Sequence, residues 1–140
     1  MSAQTDDITE LWLLARRTTA ALERRGEAEL QAKLGLSLSL FALLSTLDAH
    51  DCDLNQQEAA DLLGLTKGSV SRQVESAVSA GLLEPGIGGS RREKVQQLTP
   101  AGRGVLRKAY RVLGSIAPDS AAARAAAAVA LTEVLAALDR

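Results

Sequence analysis

The chain has 140 residues, 46% of them hydrophobic and 24% charged, which fits one ordinary folded domain and excludes a disordered segment. Aromatics make up only 2%, so the core must be built from Leu, Val and Ala. That favours helices and weakens any reading as an aromatic stacking platform for RNA or single strands. The net charge of -1 hides a polarity: residues 64–108 carry eight basic and three acidic side chains, a net of +5, against -6 elsewhere. One basic segment in a neutral chain suggests a directed face for a polyanion, where a plain solvated surface is the bland alternative.

A single cysteine, Cys52, excludes an internal disulfide and points to a reducing cytoplasm. Residues 1–10 are polar and acidic, unlike a signal peptide, and the apolar runs read as too short or too broken by charge to span a membrane.

In chain order, a first helix is expected over Asp7–Leu34. Ile8, Leu11, Trp12, Ala15, Thr19 and Leu22 recur at helical spacing, Gly26 is placed to kink it and Gly35 to stop it. A second helix runs from the cap Ser37 to about Ala49 with Leu40, Phe41, Leu44 and Leu47 as its stripe. His50-Asp51-Cys52-Asp53 reads as a loop. Asn55-Gln56-Gln57-Glu58 matches a capping box that starts a short helix with Ala59, Leu62 and Leu63 inward and Gly64 at its end. Thr66 caps the next helix, with Val70, Val74, Ala77 and Val78 inward and Gly81 as its stop. Three glycines and a proline between Glu84 and Ser90 mark a loop tip, and Arg91–Leu98 follows as a strand. Thr99-Pro100 opens a helix to about Gly114, and Pro118-Asp119-Ser120 opens an alanine-rich one to about Leu138, edged by Leu131, Val134, Leu135 and Leu138.

Asn55–Gly81 thus has the parts of a helix-turn-helix: a capped short helix, a glycine turn and a second capped helix. The outer face of that second helix carries Gly68, Ser69, Arg72, Glu75, Ser76 and Ser79, with Lys67 at its start. Small and polar residues suit close approach to the floor of a DNA groove. Arg72 suits a guanine edge and Gln73 an adenine, while Glu75 either reads a cytosine or pairs with a neighbouring contact residue. The hairpin Pro85–Leu98 places Arg91, Arg92 and Lys94 just after a glycine-rich tip, as insertion into a minor groove requires.

Leu54–Gly104 resembles the winged helix-turn-helix of the MarR family of bacterial regulators. The resemblance rests on LNQQEAADLLGL at 54–65, SVSR at 69–72, GLLE at 81–84, and Arg92 followed by LTPAG at 98–102. It implies a mainly α fold: a winged helix-turn-helix with a two-stranded β wing and N- and C-terminal dimerisation helices. The whole chain, 1–140, is then a single domain, with residues 54–98 binding DNA and residues 7–50 and 100–139 forming the helical dimerisation scaffold. It further implies a homodimer on a near-palindromic site in double-stranded DNA, acting as a repressor that a small aromatic or anionic ligand, or cysteine oxidation, relieves, with no cofactor and no catalysis. Arg92 falls on the family's wing arginine, and Ser69, Ser71 and Arg72 fall on the recognition helix. Ser90 stands where the family usually has aspartate, and Pro85 where it commonly has arginine.

The expected DNA-contacting set is Thr66, Lys67, Gly68, Ser69, Ser71, Arg72, Gln73, Ser76, Arg91, Arg92 and Lys94. For Lys94, Arg103, Arg107 and Lys108, phosphate contact and plain solvation weigh equally. Trp12 and Arg16, one helical turn apart, are candidates to line an anionic-ligand crevice, although the favoured reading of Trp12 is simple interface core. Cys52, flanked by two acids, reads as structural rather than redox-sensing. No phosphate loop, zinc spacing or nucleophile–base pair argues for an enzyme. The rival to DNA binding is a winged-helix module used only for protein interaction.

Overall fold

The computed structural model describes residues 3–86 and 95–140. Eight elements follow one another: α1 (Ala3–Leu34), α2 (Leu38–Ala49), α3 (Gln56–Leu63), α4 (Lys67–Ser79), β1 (Leu83–Gly86), β2 (Val95–Leu98), α5 (Pro100–Ile116) and α6 (Ala121–Leu138). The mainly α winged helix-turn-helix expected from the sequence is the fold observed.

Local signals set most boundaries. The side chains of Ser37, Thr66, Thr99 and Ser120 each accept the backbone N–H three residues on, giving partners to donors that a helix start otherwise leaves free. Asn55 and Glu58 form the full reciprocal capping box, at 2.8 and 3.1 Å. Gly64 and Gly81 adopt left-handed φ of 66° and 76°, as their roles as stops require. Asp51 and Cys52 also take positive φ, at 52° and 57°, without being glycine.

Two buried clusters hold the elements. Leu43, Leu44 and Leu47 of α2 meet Ala59 and Ala60 of α3, Val70, Val74 and Ala77 of α4, Leu83 and Leu98 of the strands, and Leu106 of α5. A smaller cluster joins Leu30 and Leu36 to Ala109 of α5. The strands pair antiparallel, with Leu83 opposite Leu98 and Pro85 opposite Gln96.

Several expectations are corrected. Gly26 does not interrupt α1; its bare Cα leaves room for Leu113 and Leu38, which a Cβ would meet at 3.3 and 3.4 Å. Leu62 is exposed on α3, where Ala60 takes the inner position, and Val78 is exposed on α4. Both α3 and α4 are covered on one narrow side only, so residues at the edge of the predicted stripe face solvent. The described part of the second strand begins at Val95. The expectation that every apolar run is too short to span a membrane also fails for α6, which by length and composition alone passes that test. Ten of its residues are alanine, however, and single methyl groups contribute little transfer energy.

Candidate nucleic-acid interface

The recognition-helix candidate is α4, and its geometry follows from what covers it. Val70, Val74 and Ala77 are buried against α2 and α3, which pins the helix by one face. The opposite face is then obliged to point outward. Thr66, Lys67, Gly68, Arg72, Glu75, Ser76 and Ser79 are all exposed there. Ser69 and Ser71 are half-buried at its margins. The Thr66 hydroxyl is engaged as the cap, accepting the Ser69 N–H at 3.1 Å, which leaves its own proton for a further partner.

Gln73 departs from its expected place. It is half-buried, and its Oε1 is enclosed and without a hydrogen-bond partner. Position 73 lies at the margin between the buried stripe and the exposed face of α4. Gln96 of β2 likewise encloses its Oε1, against Val70 and Val74 of the same helix.

Arg72 and Glu75 on this face form no ion pair among the described residues. Arg72 lies back along the helix, with one guanidinium nitrogen 3.6 Å from where a Cβ on Gly68 would stand. Side chains on a helix lean toward its N-terminus, so this direction is the expected one. Arg103, by contrast, is committed to Asp48 at 3.3 Å and ties α5 to α2. Arg107 and Lys108 are exposed on α5. Arg91, Arg92 and Lys94 of the wing lie outside the described residues.

The base of the wing is built by residues whose joint role the sequence only partly announced. The Thr99 hydroxyl accepts from Gly102 N at 3.0 Å and donates to the Gly81 carbonyl at 2.6 Å. The Thr99 N–H meets the Leu82 carbonyl at 3.1 Å. Gly102 must be glycine, because a Cβ there would collide with the Leu82 carbonyl oxygen. The signal for this lay in the Leu98-Thr99-Pro100-Ala101-Gly102 stretch, but the partner at the end of α4 is far away in sequence.

At the other end of the molecule, Arg16 places its guanidinium carbon 5.3 Å from the centre of the Trp12 ring, a cation–π contact. Trp12 is 58% exposed, and Ile8, Leu11, Leu13, Leu14 and Leu22 of α1 are exposed with it. None of the residues of α6 is buried. Cys52 is enclosed in the main core cluster, and the His50 Nδ1 lies 2.9 Å from the Thr46 carbonyl. No three His, Cys, Asp or Glu side chains converge on a metal-sized site among the described residues.

Residues 34–93 match the MarR family. Among solved structures, a MarR family transcriptional regulator from Silicibacter pomeroyi superposes with a TM-score of 0.75 at 22% identity, over 99% of both chains. The Staphylococcus aureus MepR–DNA complex gives 0.71 at 18% identity, over 89% of this chain and 94% of that one. The Mycobacterium tuberculosis MarR family protein Rv2887 in complex with DNA gives 0.62 at 26% identity, over 75% and 77%. No curated protein matches the chain.

Proposed function

We propose that this chain, a MarR-family winged-helix protein, is a transcriptional regulator that binds a near-palindromic operator in double-stranded DNA as a homodimer and represses the genes it controls. The observation that carries the reading is the one-sided burial of α4. Val70, Val74 and Ala77 hold it to the core, and Lys67, Arg72 and Ser76 are left outward, with Val78 the one large apolar side chain exposed on the helix. Such a helix fits a major groove, where an arginine meets guanine with two hydrogen bonds and flanking small side chains permit close approach. Wing arginines Arg91 and Arg92, with Lys94, supply the adjacent minor-groove contact in this reading.

The dimer is assigned to α1 and α6. Their exposed side chains, from Ile8 to Leu22 and from Val129 to Leu138, form apolar surface that an isolated protomer leaves in water. Two-fold pairing of these helices sets two copies of α4 on successive turns of one DNA face, roughly 34–36 Å apart. The regulator acts in the cytoplasm. The Trp12–Arg16 pair, stacked at this surface, is the proposed seat of a small anionic or aromatic effector. Rv2887 has been solved in complex with salicylic acid, an anion of that kind.

The test is duplex binding against salt concentration, for the unaltered protein and for Arg72→Ala. The proposal expects affinity that falls steeply with salt as counterions are released. It also expects Arg72→Ala to cost about 1–3 kcal/mol and to relax the preference at one base position. Duplex binding that is weak, salt-insensitive and indifferent to Arg72 would leave the protein-interaction module as the better reading.

A further inference from the structure

Glu75 is the one acidic residue on α4, and it stands on the exposed face three positions after Arg72. An acid there is costly for any polyanion-binding helix, because a carboxylate repels phosphate and only accepts hydrogen bonds. Two local explanations would make it bland: an ion pair with Arg72, or a structural bond inside the fold. Neither is present. Arg72 is turned the other way, over Gly68, and Glu75 makes no hydrogen bond or ion pair with any described residue. Among the described residues, α4 therefore carries an acceptor at Glu75 and a donor at Arg72 on its outward face, neither paired with the other.

We infer that Glu75 is a specificity-determining residue that selects cytosine in the major groove. This rests on the reading of α4 as a recognition helix. Of the groups on the major-groove edges, the exocyclic amino group of cytosine is a donor that a lone carboxylate can accept, whereas guanine offers acceptors only and thymine an acceptor and a methyl. Adenine also offers an amino donor, but beside an acceptor nitrogen that repels the carboxylate. Three residues of helix advance by about 4.5 Å. That is close to the spacing of about 3.4 Å between successive base pairs along one strand. Arg72 and Glu75 thus address neighbouring base pairs, the first reading guanine and the second cytosine. The same carboxylate lowers affinity for duplexes without the correct base, since repulsion from the backbone stays and the compensating hydrogen bond is lost.

The experiment is parallel selection from a random duplex library with the unaltered protein and with Glu75→Gln, followed by titration of the enriched duplex and its single-base variants. Melting of both proteins verifies that the exposed substitution leaves the fold intact. The expected result is a cytosine in each half-site for the unaltered protein, worth on the order of tenfold or more in affinity. Glu75→Gln should transfer that preference toward adenine, which presents the donor–acceptor pair an amide matches. A motif that is the same for both proteins, with Glu75→Gln binding every duplex more tightly by one common factor, overturns the inference and leaves the operator reading standing. Absence of any enriched motif for the unaltered protein overturns the operator reading and this inference together.

Discussion

The Thr99 hydroxyl donates to the carbonyl oxygen of Gly81 at 2.6 Å, across 18 positions of sequence. One side chain thereby joins the end of α4 to the start of α5 and closes the base of the β1–β2 hairpin. Through the same oxygen it also caps α5 by accepting the Gly102 N–H.

Thr99→Ala removes the cap and leaves the Gly81 carbonyl without its partner. It should destabilise the protein by about 1–3 kcal/mol in urea unfolding. Thr99→Ser keeps the hydroxyl and should recover most of that loss. If the alanine variant unfolds at the same urea concentration as the unaltered protein, the closure contributes no stability. Gly102→Ala should cost more than Thr99→Ala, because its methyl has no room beside the Leu82 carbonyl.

Asp51 holds a left-handed φ of 52° in the turn between α2 and α3, a region that costs an ordinary side chain roughly 1–2 kcal/mol. It is exposed, so removing its side chain sacrifices little packing. Asp51→Gly should raise the thermal midpoint. Cys52 shares the conformation but is buried, and Cys52→Gly should lower the midpoint through the lost core contact.

Glu27 reaches from α1 to accept the first N–H of α2, that of Leu38, at 2.7 Å. That backbone bond, helped by Gln31, holds its carboxyl below the ordinary value of 4.5. A depressed folded-state value means the group contributes stability above the unfolded-state range, and the contribution is lost as pH falls through the folded value. The gap in stability between the unaltered protein and Glu27→Gln should therefore be full at pH 7 and close as the solution is taken below about 4. A gap independent of pH would mean the charged form gains nothing from this contact.

How much of this was legible in the sequence depends on the range of the interaction. Asn55 with Glu58, Thr66 with Ser69 and Thr99 with Gly102 are all closed within three residues, so the motif and the contact are the same object. The inward positions Val70 and Val74 were equally clear, since both sit at the centre of their stripe. The edges were not. Leu62 and Val78 are apolar at nearly the right spacing, yet both are exposed. Leu43 was missed for the converse reason, being enclosed by contacts that come from α3, α4 and the strands. Gln73 has the residue type of a base reader, and the enclosure of its Oε1 depends on packing that no local pattern announces. Gly102 depends on Leu82, a partner no local pattern could name.

Leu135 is 59% exposed in the protomer, so a charge there has no core to disturb. Leu135→Asp should leave the helical content intact and convert the proposed dimer to a monomer by light scattering, because it places a charge in the apolar surface assigned to the interface. A dimeric mutant would move that interface away from α6.

The most direct measurement is selection of bound sequences from a random duplex library at near-physiological salt. The account predicts an enriched palindrome whose half-sites are centred about one helical turn apart, as two copies of α4 on a two-fold axis require. Binding without enrichment, lost at moderate salt, would contradict it and show a basic surface that holds DNA without reading it.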